Sequence, residues 1–356
     1  MPELSQIDKN FQVGKVNDLP VNYFEVDRVP FVTEGFGWQH PRRKFYRLPS
    51  HYTEKEVNPG ALFLAHHTAG GAIRFRSNSP YAVIRAELEN YSDFSHMPRS
   101  AIGGFDCYIG TGAQAEFRAV AMPTAEQILP ETPLHANPSQ TMVDWMVNLP
   151  LYSGVKTLTI GLKPGSRLET PTPHAIPLPV AFYGSSITQG GCASRPGNAY
   201  SSLLCRAIDA PQINLGFSGS GCGEIAVAQA IASLELSALI LDYDYNAPDA
   251  EFLADTHEIF FQTIRTAKPA LPIIILSACS KVLADTAARR RIIRTTYEHA
   301  VASGDHLVWF IGGDTLFAGE NIDACTVDIC HPNDLGFYRM YQTILPVLKK
   351  AVYGPF

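Results

Sequence analysis

The sequence contains no apolar run approaching the roughly 20 residues that a spanning helix requires, so a helical membrane protein is excluded as a reading. A surplus of positive charge is also missing. Lysine and arginine total 28 against 34 aspartates and glutamates, a formal net charge of -6, which offers phosphate backbones and anionic membranes no chain-wide attraction. Neither nucleic acid nor membrane is therefore an expected partner. The first ten residues, MPELSQIDKN, lack the cationic start and apolar core of a secretory leader, which sets a cytoplasmic expectation. CxxC pairs are absent from the seven cysteines, an odd number spread over a long chain, so free and mostly buried thiols are expected. Only Cys325 and Cys330 lie close enough in sequence to leave a local bridge open. No internal repeat or low-complexity tract is present.

What is there suits a globular chain: 46% hydrophobic residues and 17% charged ones, in 356 residues. At about 150 residues per domain that length predicts two domains. From about Gly60 to Leu162 the pattern has period two. Ile84, Ala86 and Leu88 alternate with Arg85, Glu87 and Glu89, and Val143, Trp145, Val147 and Leu149 do the same against Asp144, Met146 and Asn148. Turn-rich breaks separate these runs, which predicts an antiparallel β-sandwich. Pro171, Pro173, Pro177 and Pro179 then forbid regular structure and stiffen a connector, so the boundary is placed there, dividing the chain into residues 1–175 and 176–356.

Beyond the connector, short apolar runs alternate with helix-length segments: Val180–Tyr183, Ile213–Leu215, Ala238–Leu241, Pro272–Leu276 and His306–Ile311. This alternation predicts right-handed βαβ units and a parallel sheet. Helices are expected over Thr286–Ala302, stopped at Gly304, and over Leu335–Tyr353 at the end of the chain.

In such a sheet ligands gather at the carboxyl ends of the strands, so the segments just after each strand are the ones to read. After the first comes Gly184-Ser185-Ser186-Ile187-Thr188-Gln189-Gly190. A serine on a tight strand-to-helix turn can expose its hydroxyl, although the same residues could simply cap a helix. After the second comes Asn214 to Gly221, rich in glycine. Its Gly219-x-Gly221-x-Gly223 run does not fit the dinucleotide fingerprint, whose last glycine would fall at Glu224. After the third comes Asp242-x-Asp244, better read as hydrogen-bonded carboxylates than as a metal pair, followed by Asn246, a candidate oxyanion donor. After the last comes Asp328-Ile329-Cys330-His331, in which the carboxylate can reach one ring nitrogen while the other faces a nucleophile. Asn333 or Asp334 capping the final helix is the structural alternative there.

Taken together, these four ordered segments resemble the SGNH (GDSL-like) hydrolase family. The resemblance covers Val180 to the C-terminus. It implies a three-layer α/β/α domain with a parallel sheet, with Ser186 as nucleophile, Asp328 and His331 as its partners, and Ser186, Gly219 and Asn246 as oxyanion donors. Ser185 stands where the commoner family pattern has aspartate. The period-two half resembles the jelly-roll-like domain that precedes the catalytic domain in some carbohydrate-directed members of this family.

The activity so implied is hydrolysis of a small ester, with removal of acetyl groups from a sugar as the leading substrate expectation. No cofactor and no metal are called for. Acyl transfer with the same residues, or carbohydrate binding without catalysis, are the alternatives. Tyr245 and Tyr183 are expected to close the acyl side of the site. His66, His67, Trp38 and Arg42-Arg43-Lys44 could meet substrate from the first domain, but structural or surface roles are preferred for each. Nothing in the sequence fixes an assembly state.

Overall fold

The computed structural model describes residues 13–16, 18–125, 128–279 and 284–354. MPELSQIDKN, on which the leader expectation rests, lies outside them.

The period-two half forms two antiparallel sheets packed face to face, as the alternation predicts. One orders the strands Val13–Val16, Leu19–Glu25, Gly154–Leu162, Tyr81–Glu89 and Pro133–His135. The other runs Leu168–Glu169, Ala72–Ser77, Val143–Asn148, Phe105–Ile109 and Glu116–Ala121, with Val32–Glu34 beside Ala72–Ser77. Between them lies a core that includes Ile84, Ile160, Phe105 and Val147. Directly opposed in register, Phe75 and Trp145 stack with ring centroids 5.6 Å apart. The alternation is incomplete at one place: Tyr81 to Ile84 are buried on both faces, because Tyr81 and Val83 join Val21 in a small second cluster.

In the second half, the parallel sheet orders the strands Gln212–Gly216, Val180–Gly184, Ala238–Asp242, Ile273–Leu276 and Val308–Ile311. The first four of these are buried at every position, which is why they read as continuous apolar runs. In chain order this is 2-1-3-4-5, so the direction of winding reverses between the first and third strands and opens a crevice at their carboxyl ends. Ser186 follows the first strand and Asn246 the third, one on either side of that crevice. Helices Tyr200–Ile208, Ile225–Ala232, Ala250–Ala267, Thr286–Ala302 and Asp334–Tyr353 pack around the sheet. Helix Asp334–Tyr353 starts one residue before its expected place because the Asn333 side chain accepts from the N–H groups of Leu335 and Gly336.

The two halves share a core. Met97, Ile102, Leu151 and Tyr152 from the first pack with Ile187, Leu204 and Phe337 from the second. Beside this core, fully buried Arg47 donates to the carbonyls of Leu64, His67, Asn214 and Gly216 at 2.6 to 2.9 Å, with its guanidinium over the Phe217 ring. Burial pulls its pKa down to about 9, so it remains a cation at neutral pH, balanced by carbonyl dipoles. This residue fastens the second parallel strand to the N-terminal half. Among the described residues, no helix is long and apolar enough to cross a membrane.

Candidate active site

Gly184 ends the first parallel strand where the backbone has no room for a side chain. A Cβ there would lie 2.1 Å from Thr188 Oγ1 and 2.2 Å from the Asp242 carbonyl oxygen. The chain then turns sharply into the short helix Ser186–Gln189, with Ser185 extended and its Oγ accepting from the Ile187 N–H at 3.2 Å. Ser185 is thus the cap, and Ser186, the next residue, carries the hydroxyl that faces the crevice. It is 9% exposed.

Beneath this turn, Thr188 Oγ1 and the Tyr200 hydroxyl donate to Asp242 Oδ2 at 3.1 and 3.0 Å. Burial, reinforced by the charge of Asp244, pushes the Asp242 pKa up to about 8, so a neutral carboxyl lies under the serine at pH 7. Asp244 accepts from the Ala278 N–H at 2.8 Å, and burial lifts its pKa to about 6. The Asp242-x-Asp244 pair is thereby engaged in hydrogen bonds, as the sequence suggests.

The Asp328–His331 segment meets the serine from the opposite side. Ser186 Oγ lies 2.9 Å from His331 Nε2, and His331 Nδ1 lies 2.7 Å from Asp328 Oδ2. Asp328 Oδ1 accepts from the backbone N–H groups of His331 and Cys330 at 2.6 and 3.1 Å, and Ile329 takes the left-handed conformation needed to close so tight a turn. Partial burial pushes the Asp328 carboxyl up, but these bonds from the His331 ring and the two N–H groups outweigh it and hold the pKa below the usual range. The carboxylate therefore fixes a proton on Nδ1 and leaves the Nε2 lone pair toward Ser186. Asn333 does cap the final helix, so one segment carries both that cap and the Asp328–His331 pair.

Gly219 sits exposed in the left-handed region at φ 64°, at the tip of the loop after the second strand. Among the described residues, no hydrogen bond to the backbone N–H of either Ser186 or Gly219 is present. Asn246 is placed differently from the simplest expectation: its Nδ2 donates to the carbonyls of Phe217 at 2.9 Å and Gly221 at 3.2 Å. The side chain thus ties down the loop that carries Gly219.

Several neighbours come from the N-terminal half, and of these Tyr152 carries no signal in the sequence. The Tyr152 hydroxyl donates to the Ser186 carbonyl at 3.3 Å. Gln189 donates to the Leu151 carbonyl at 3.0 Å, accepts from the Ser218 N–H at 3.0 Å and faces His67 Nδ1 at 3.2 Å. His67 is fully buried, and burial with the nearby Arg47 charge pulls its pKa down to about 3, so it is a neutral wedge between the halves. Trp38 reaches Ser233, Arg43 pairs with Glu89 and Lys44 with Asp27, structural or surface roles in each case.

One expectation is overturned. Tyr183 does not line the acyl side, because alternation along its strand turns it to the other face of the sheet, where it is fully buried and stacked on Phe260 with centroids 4.6 Å apart. Its hydroxyl accepts from Gly223 N–H at 2.7 Å. Tyr245 is half-buried, with its hydroxyl 3.4 Å from Cys279 Sγ. All seven cysteines are unbridged, Cys325 and Cys330 included.

Residues 178–349 match the GDSL-like lipase/acylhydrolase family, and residues 21–168 match the N-terminus of SGNH-hydrolase-type esterases. Among solved structures, a Bacteroides ovatus protein assigned as a GDSL-like lipase is 28% identical, with a TM-score of 0.84 over 94% of this chain and 99% of that one. A salicylyl-acyltransferase from a tetracycline biosynthetic pathway is 18% identical, with a TM-score of 0.78 over 93% and 99% of the two chains. An acetyl xylan esterase from the rumen bacterium Butyrivibrio proteoclasticus is 14% identical, with a TM-score of 0.59 over 93% and 98%. At those two identities the likeness is one of fold. No curated protein sequence matches the chain.

Proposed function

The chain belongs to the GDSL-like lipase/acylhydrolase family and carries the N-terminal part of SGNH-hydrolase-type esterases, and from that membership we propose that it is a serine ester hydrolase working through an acyl-enzyme on Ser186. The observation that carries the reading is the continuous relay from Ser186 Oγ through His331 to Asp328, with links of 2.9 and 2.7 Å. In it, His331 Nε2 takes the serine proton as Oγ attacks the ester carbonyl. The oxyanion that forms is met by the backbone N–H groups of Ser186 and Gly219, and by an Asn246 N–H once that side chain turns from one of the two loop carbonyls it holds. Asp328 keeps the Nδ1 proton in place and stabilises the imidazolium, which then protonates the leaving alcohol. Water enters, gives its proton to the same nitrogen and releases the acid.

The acyl group is small and the alcohol is carbohydrate-like in this reading. Tyr245, one residue before Asn246, supports a short acyl side now that Tyr183 is turned away. The N-terminal half supports a carbohydrate-like alcohol, since half-buried Phe94 stands on its loop against Tyr152 and an acetyl xylan esterase shares the two-part fold.

A chain-length series tests this. In an open apolar groove each methylene would add about 0.8 kcal/mol, so octanoyl esters would exceed butyryl esters by about 3 kcal/mol, roughly 200-fold in kcat/KM. The proposal expects the opposite order for acetyl, butyryl and octanoyl esters of one alcohol, with acetylated sugars among the substrates cleaved. A maximum at octanoyl would make the protein a lipid esterase instead.

A further inference from the structure

Two side chains beside the relay have no part in the proposed reaction. Cys192 lies just beyond the Ser186–Gln189 helix, 6% exposed and held at φ 74°. His96 comes from the N-terminal half, is exposed, and has its ring centroid 5.9 Å from that of His331. One ligand atom from each of His96, Cys192 and His331 lies within 4.8 Å of the other two.

A tetrahedral zinc ion, with Zn–S near 2.3 Å and Zn–N near 2.0–2.1 Å, places such atoms roughly 3.3–3.6 Å apart. Against that 4.8 Å bound the gap to close is at most about 1.2–1.5 Å, within reach of rotamer changes at the exposed His96 and at the Cys192 side chain. The third ligand is already prepared. Asp328 Oδ2 holds His331 Nδ1 at 2.7 Å, the carboxylate–histidine arrangement that fixes a zinc-binding imidazole in the tautomer with its Nε2 lone pair outward. One thiolate and two imidazoles form a donor set that suits zinc-type cations and not calcium or magnesium.

We propose that His96, Cys192 and His331 form an inhibitory site for a borderline-soft divalent cation, zinc by its donor set. On binding, the Cys192 thiol proton leaves to solvent as the metal–sulfur bond forms, and His331 Nε2 gives its lone pair to the metal. A fourth position remains for water or Ser186 Oγ. Because that lone pair is the one that takes the serine proton, the occupied site is silent. The silencing rests on His331 being the base; the binding does not.

The test uses the whole chain with zinc chloride and an aryl acetate. One zinc per chain after equilibrium dialysis is expected, with turnover lost as the site fills and restored by a chelator, while calcium and magnesium leave it unchanged. Cobalt in place of zinc should give a thiolate charge-transfer band that Cys192→Ser lacks. His96→Gln, at an exposed position, and Cys192→Ser should keep their metal-free turnover. Each should raise the zinc concentration for half-inhibition at least about tenfold, the lower end of what losing even an outer partner costs a metal site. Half-inhibition at the wild-type zinc concentration in both variants would overturn the site. A cobalt band with undiminished turnover would instead overturn the role of His331 as base and leave the site standing.

Discussion

Replacing Asn246 with alanine separates two ways in which one amide can serve the reaction. Its Nδ2 donates to the Phe217 and Gly221 carbonyls at 2.9 and 3.2 Å, and these two residues bracket Gly219. Losing both bonds releases the loop at a net cost of about 0.5–1.5 kcal/mol each, so about 1–3 kcal/mol, and with it the Gly219 N–H that the proposed mechanism sets on the oxyanion. If the amide also turns to the oxyanion, its removal costs about 10²- to 10³-fold in kcat. Either route acts on the transition state, so the loss should fall on kcat while KM moves only a few-fold. Asn246→Asp sharpens the point. A carboxylate facing two carbonyls and a developing anion should be worse than alanine, although it matches asparagine in shape. The assay is steady-state hydrolysis of an aryl acetate, with active sites counted by phosphonate titration so that misfolded protein is not read as slow protein. Unchanged kcat in Asn246→Ala, or a loss entirely in KM, would refute the reasoning.

Two further perturbations probe the charges around the serine. In Asp328→Asn, the two backbone N–H groups should keep the amide oxygen at the Oδ1 position, leaving the NH2 to face His331 Nδ1; this forces the proton onto Nε2 and should lower kcat by up to about 10⁴-fold, measured on the same ester, whereas activity within tenfold of wild type would remove the carboxylate from the reaction. Because Asp328 is held below the usual carboxylate range, its stabilising effect on the fold should be fully present above about pH 4 and lost only as pH falls through its lower folded value. Asp242 has the opposite sign: with a folded pKa raised to about 8, its contribution is full below about pH 4 and declines as pH rises toward 8. Urea unfolding at pH 5 and pH 8 should therefore show wild type losing stability with a slope of at most about 1.4 kcal/mol per pH unit from this group, and Asp242→Asn should flatten that slope. The same slope in both proteins would mean that Asp242 titrates as an ordinary carboxylate.

The fold was legible where local pattern and tertiary environment agree. Strands such as Tyr81–Glu89 and Val143–Asn148 have one face on a core for most of their length, so alternation marks them, and the parallel strands are buried on both faces, so they appear as apolar runs. Ser186, Asp328 and His331 were legible because each follows its own strand or precedes a helix, and chemistry of this kind collects at strand ends. Tyr183 shows the limit. Adjacency to Ser186 in sequence suggested adjacency in space, but the two-residue period of the strand sends the ring to the far side of the sheet. Tyr152, Arg47 and His96 were not legible at the site, because their contacts with it cross at least 34 residues of chain and depend on how the two halves dock. Local periodicity carries no information about that docking.

The central claim is that Ser186 is the nucleophile, and covalent labelling tests it most directly. The whole chain should react with an aryl-activated serine-directed phosphonate at one site per molecule, with loss of esterase activity in proportion to label and the label mapped to the turn that follows the first parallel strand. Ser186→Ala should take up no label and turn over no faster than its oxyanion donors alone allow, and Ser185→Ala should be labelled normally. Label on Ser185, on Ser218 or on any other residue, or full turnover in Ser186→Ala, would contradict the account.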